Sequence, residues 1–330
     1  MPHSLRLLPA LLGLAATTAV AEVSVKKLDD RVRVEIDGKL FTELRYTGLD
    51  HVCYWPLIGP GGVKLTRSWP LEEVPGEEHD HPHHKSMWFA HGLLNGDDYW
   101  SELATYGGKP PKIPIGKILH DQIIKAEGGA KSGEVVASQK WIASDGKTQT
   151  AASTQRLVVY STPDAERMFD FEVALTAGDK DIVIGETKEG TMGMRIAESM
   201  RTKAGKGSKI PAAGHILNST GAKDEDVWGK EANWVAMNGP IDGKPFTISM
   251  FDHPSNLRHP TRWHARDYGL FAANPFGGSL MDKALPKGAG DYPLPAGKTV
   301  TFKYRIVVQQ GDPDATKLNS LYDTYAKEIK

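Results

Sequence analysis

The chain has 330 residues, 40% apolar and 25% charged, enough to bury a substantial core, and a formal net charge of -1 that is unlike a disordered polyelectrolyte. With 40 basic against 41 acidic side chains there is no surplus positive field to condense on phosphate, which sets aside nucleic acid and a membrane surface as partners.

Leu5 to Val20 is an apolar run behind Arg6 that ends in Ala19-Val20-Ala21, the pattern of a cleaved export leader over residues 1–21. Residues 22–330 are then expected to form a single domain, periplasmic or extracellular. Val32, Val34 and Ile36 fall on every second position, as do Phe169, Phe171, Val173 and Leu175, and again Phe302, Tyr304, Ile306 and Val308. Period two predicts strands with one buried face. Asp37-Gly38, Gly128-Gly129, Asp145-Gly146 and Gly178-Asp179 supply hairpin turns between such segments. The expected fold is all-β, a large antiparallel β-sandwich of two extensive sheets, with one amphipathic C-terminal α-helix opened by Asp312-Pro313 and striped by Leu318, Leu321, Tyr322, Tyr325 and Ile329. Cys53 is the lone cysteine, so no disulfide forms within the chain; between Val52 and Tyr54 it reads as a small buried hydrophobe.

The stretch from Leu49 to Lys117 is rich in Pro and Gly and lacks alternation, and the chemistry concentrates there. Five of the 12 histidines fall between His79 and His91. His81 and His83 share a face if the chain is extended, and His91 or Glu78 would complete three ligands for a divalent transition metal with one position open. Two familiar metal patterns do not fit: Met87 and Trp88 stand where a cupin has its Glu, and His83 directly precedes His84 where a metallo-β-lactamase has an Asp. The alternative is metal-free, with His84 or His91 moving a proton. Asn95, Asp98 and Trp100, with Trp88 before them, suit a hydroxyl-rich ligand, because amide and carboxylate bind sugar hydroxyls while a ring covers the C–H face.

Glu189, in Thr187-Lys188-Glu189-Gly190, is the natural carboxylate to set opposite the histidines. A second constellation runs from Phe251 to Gly269. Arg258, His259 and Arg266 are candidates to hold an oxyanion and move a proton, and Trp263, His264 and Tyr268 to contact substrate.

The blocks Tyr54 to Gly62, Asp80 to Gly92, Thr187 to Gly190 and Phe251 to Phe276 resemble the bacterial DUF6807 family, which carries the label "methane oxygenase PmoA". The resemblance covers nearly all of the chain after the leader. It departs at Lys85, where the pattern has Arg, and at Asp97-Asp98-Tyr99, where it has Val-Asp-Phe. The membrane methane monooxygenase subunit of that name is a multi-span protein, whereas no segment after residue 21 has the apolar length of a span. The family's relatives look like secreted proteins of polysaccharide-degrading bacteria, often encoded near sugar oxidoreductases, and the strand pattern is similar to the supersandwich of galactose mutarotase-like proteins.

Three function classes follow. The first is a secreted carbohydrate-active enzyme, of epimerase, lyase or hydrolase type, in which His84 or His91 and Glu189 exchange protons and Arg258 or Arg266 holds developing charge. The second is an oxidase or oxygenase with a metal on His81, His83 and His91. The third is a sugar-binding protein without turnover. The expected partner is a small carbohydrate, and oligomeric state has no signature in the sequence.

Overall fold

The computed structural model describes residues 22–328, so the expected export leader and the last predicted stripe residue, Ile329, lie outside the described residues. In chain order the strands are β1 (Val23–Lys27), β2 (Arg31–Ile36), β3 (Lys39–Arg45), β4 (Cys53–Tyr54), β5 (Met87–His91), β6 (Lys117–Glu127), β7 (Ser132–Ile142), β8 (Gln149–Tyr160) and β9 (Glu166–Ala177). They continue as β10 (Ile182–Ile184), β11 (Gly190–Arg195), β12 (His215–Asn218), β13 (Trp234–Ile241), β14 (Lys244–Asp252), β15 (Arg262–Ala265), β16 (Leu270–Asn274), β17 (Tyr292–Leu294) and β18 (Thr299–Gln310). A four-residue helix, α1 (Gly278–Met281), precedes the terminal helix α2 (Ala315–Ala326).

Two antiparallel sheets of eight strands carry the fold, in the orders β1-β2-β3-β4-β5-β11-β16-β15 and β12-β13-β14-β18-β9-β8-β7-β6, with β10 and β17 as a separate pair. The alternating residues of β2, β9 and β18 are buried as their period requires. Ring pairs bridge the two inner faces: Phe41 on Phe169 and Tyr54 on Phe171, both at 5.5 Å, and Phe89 on Phe302 at 5.7 Å. An all-β sandwich with a C-terminal helix is therefore what the chain forms.

Helix α2 covers part of the outer face of the second sheet, where Leu318, Tyr322 and Tyr325 pack with Trp234, Phe251 and Val307. Its cap is Asp314, two residues beyond the predicted start. That carboxylate accepts from the backbone N–H groups of Thr316 (2.9 Å) and Lys317 (3.1 Å), which the helix leaves without internal partners. Cys53 is fully buried, and burial pushes its thiol up to about 12, so it behaves as the apolar residue its neighbours imply.

Candidate active site

The pleat of four neighbouring strands decides which side chains can meet. Phe89 packs on Phe302 of the opposite sheet, so Met87, Phe89 and His91 face the interior and Trp88 faces out. Trp88 pairs with Gly193, Gly193 with Ala272, and Ala272 with His264, one row across β5, β11, β16 and β15 on the outer face. Gly193 is required there: a Cβ would lie 2.9 Å from Trp88 and 3.0 Å from Trp100. Two residues along β11 on the same face stands Arg195.

Arg195 organises the deep layer. It donates to Asp80 (2.7 Å) and, from its second terminal nitrogen, to Nδ1 of His84 (3.2 Å). Because a guanidinium only donates, His84 accepts at Nδ1 and carries its hydrogen on Nε2. Burial, the adjoining His83 and Arg195 hold the His84 imidazole neutral, well below its ordinary range. Arg67, also fully buried, pairs with the same Asp80 carboxylate and donates to the carbonyl of His81 (3.0 Å). Burial alone would raise the Asp80 pKa, but the hydrogen bond from His81 and the two guanidiniums outweigh it and keep the group ionised.

Above this layer lie half-buried rings. His81 donates from Nδ1 to Asp80 (2.7 Å), and its side chain remains 40% exposed. Its ring is parallel to those of His84 at 4.7 Å and Tyr268 at 5.1 Å. Tyr268 in turn receives the guanidiniums of Arg195 (5.0 Å) and Arg266 (5.5 Å) against its ring, and burial raises its phenol, which stays protonated. Glu189, 34% exposed at its side chain, is raised by burial and electrostatically coupled to His81 and Tyr268. His264 donates to the Lys188 carbonyl (2.6 Å), which places the Glu189 segment against β15; burial lowers His264 to about 3.

The structure thus brings His81, His84, Trp88, Glu189, His264, Arg266 and Tyr268 together, and separates others from them. His91 points into the sandwich and bonds the Gly185 carbonyl (2.8 Å), with burial lowering it to about 4. This corrects its assignment both as a proton-transfer group beside His84 and as a metal ligand. His83 is engaged with the Thr105 hydroxyl (2.9 Å) and His81 with Asp80. Among the described residues no group of three or more His, Cys, Asp or Glu is placed to hold a metal ion, so the expected ligand set His81, His83 and His91 is overturned. The strand pleat is the reason: a histidine on the inner face of β5 cannot share a cation with two from the loop over its outer face.

Arg258 spends its donors on the carbonyls of Pro275, Gly290 and Asp291, at the rim of a cavity of ≈ 330 Å³ that none of the clustered rings lines. His259 bonds Asp252 (2.8 Å) and Tyr322 (3.2 Å), fastening the β14–β15 loop to α2. Trp263 faces inward and donates to the Ala232 carbonyl (2.9 Å). Trp88 and Trp100 are fully buried and form the floor, offering no open stacking face. Asp98 accepts the backbone N–H groups of Trp100 and Ser101, and Asn95 that of Val183, so both shape turns. Lys85 pairs with Glu102 in a buried group with His51, on which Glu102 is held down to about 2 against the pull of burial.

Sequence reasoning missed Arg67, Asp80, Arg195 and Trp228. Trp228, directly after the 3-10 turn Asp224–Val227, meets His264 at 6.4 Å and Arg266 at 5.9 Å. Arg195 had a signal, its position two steps past the glycine that admits Trp88; Arg67 and Trp228 had none.

A family model described as "Family of unknown function (DUF6807)" matches residues 31–323. No curated protein matches the chain. Among solved structures a polysaccharide lyase aligns at 11% identity with a TM-score of 0.36, over 93% of this chain and 35% of that one. The chain therefore spans about a third of that protein's length, and a likeness at this level carries no argument about activity. The methane oxygenase label is not sustained, since the matched family is described without a function and no helix among the described residues is long and apolar enough to cross a membrane.

Proposed function

We propose that the chain, a member of DUF6807, a family of unknown function, is an enzyme that acts on a carbohydrate by general acid–base chemistry. The observation that carries the reading is the Asp80–His81 pair beside Tyr268. With Nδ1 engaged by Asp80, His81 leaves Nε2 without a partner among the described residues on a side chain 40% exposed, the arrangement of an oriented base. The other histidines of the cluster are poor bases: His83 and His264 are each lowered to about 3 and His84 further.

His81 takes a proton from a carbon next to a carbonyl or anomeric centre, or from a hydroxyl, and its imidazolium is balanced by the Asp80 carboxylate. Tyr268, held protonated, returns a proton to the oxygen that gains electrons, and Glu189, whose carboxyl is raised toward neutrality, is the second group able to do so. Arg195 and Arg266, against the Tyr268 ring, offset charge that develops on that oxygen. The half-buried rings of Tyr268 and Trp228 among charged side chains have the composition of a sugar site.

Incubating the protein in deuterium oxide with a panel of keto-sugars and glycosides, and reading carbon-bound deuterium by NMR and new absorbance in the ultraviolet, tests this. Exchange or product formation that falls by about 10²–10⁴ in H81Q is expected. Unchanged substrates throughout, or an H81Q variant as active as the parent, would overturn it.

A further inference from the structure

Arg266 differs from the other two arginines of the cluster. Arg67 and Arg195 are both committed to Asp80, whereas no carboxylate, carbonyl or hydroxyl among the described residues accepts a hydrogen bond from the Arg266 side chain. Its guanidinium is kept in place by two rings, Trp228 at 5.9 Å and Tyr268 at 5.5 Å, which grip its face and leave the N–H fork open. It lines a cavity of ≈ 270 Å³ together with Glu225, Trp228, Ala265 and Asp267.

A second lining side chain, Trp228, has an indole N–H with no acceptor among the described residues. A buried donor left without an acceptor is costly to the fold. A water or hydroxyl placed among such groups brings hydrogens that need acceptors in turn, while a carboxylate accepts at two oxygens and asks for none. Glu225 and Asp267 stand on the same cavity as acceptors for hydroxyl groups, although one Asp267 oxygen already accepts from the Tyr268 backbone (3.0 Å).

We infer that the substrate is an acidic sugar, a uronate, whose carboxylate is held by the Arg266 fork with the Trp228 indole N–H beside it, and whose hydroxyls meet Glu225 and Asp267. This deepens the carbohydrate reading and rests on it. It gives Arg266 a recognition role in addition to its place beside Tyr268.

The test follows the Trp228 indole resonance, assigned with W228F, in proton–nitrogen correlation spectra while D-glucuronate, D-galacturonate, D-glucose and sodium acetate are titrated in separate arms. A saturable shift with at least one uronate, about tenfold weaker or absent with glucose and with acetate, is expected. R266Q should lose about tenfold in uronate affinity and R266K, which keeps the cation and loses the fork, should lose part of it. Equal response to glucose and uronates overturns the inference, as do acetate binding as tight as a uronate and uronate affinity that survives in a folded R266Q. Should R266Q not fold, R266K decides alone: unchanged affinity overturns. Deuterium exchange into a neutral sugar without uronate binding would keep the acid–base reading and remove this one. Uronate binding without exchange would do the reverse.

Discussion

His81 has φ +45, a left-handed setting that costs a residue with a Cβ roughly 1–2 kcal/mol, and Pro82 behind it restricts the backbone further. Arg67 at its carbonyl and Asp80 at its ring hold it there. Strain kept by a charged scaffold next to open solvent is a mark of a working position. H81G should therefore abolish deuterium exchange while its thermal midpoint stays level or rises, because glycine takes the same backbone setting without the steric cost. A midpoint that drops sharply in H81G would show that the imidazole serves packing. Asp80 has another character. Asn in its place leaves two buried guanidiniums without a counter-charge, and D80N is expected to lose about 3–5 kcal/mol in denaturant unfolding, so its activity loss would report stability as well as chemistry.

At the scale of elements, alternation was legible wherever one face of a strand meets water or the other face meets the core, as in β2, β9 and β18. It was illegible in β5 and β11, whose residues are buried on both faces because loops close over the outer one. With no polar face to set the phase, Met87-Trp88-Phe89-Ala90-His91 does not say which side His91 takes, and that is why His91 was grouped with residues it cannot reach. The pairing of β5 with β11 gives a sharp prediction. G193A places a methyl against Trp88 and Trp100 and should cost roughly 1–3 kcal/mol, read as a lower denaturation midpoint with unchanged slope. In helix α2, D314A should cost about 1 kcal/mol through its two lost caps.

Across the whole molecule, the site draws on segments near residues 67, 80, 195, 228 and 266, and only those rich in histidine or in mixed His and Arg stood out from the sequence. Arg67 looks like any of 40 basic residues until the fold buries it beside Asp80. The same burial sets a pH dependence. His83 and His264 are lowered to about 3 and His91 to about 4 in the folded protein, against 6.5 when exposed. Above pH 6.5 both states are neutral at these groups; below it the unfolded chain takes up protons that the folded one refuses. Stability should then fall as pH drops from about 6.5 toward 3, by at most about 1.4 kcal/mol per pH unit for each group. Thermal midpoints measured from pH 8 to pH 4 check the direction, and a flat profile would contradict these burial assignments.

The last strand among the described residues is not at an edge. β18 lies in the middle of the second sheet, with β14 on one side and β9 on the other. During synthesis, β6–β9 and β12–β14 emerge as two half-sheets that nothing joins until residues 299–310 arrive. Until then each half offers an unpaired row of backbone groups along the edge that β18 fills, a feature that favours self-association. A nascent chain stalled before Thr299 thus lacks the strand that joins β14 to β9, and the interval between the exit of β14 and that of β18 leaves both edges unpaired.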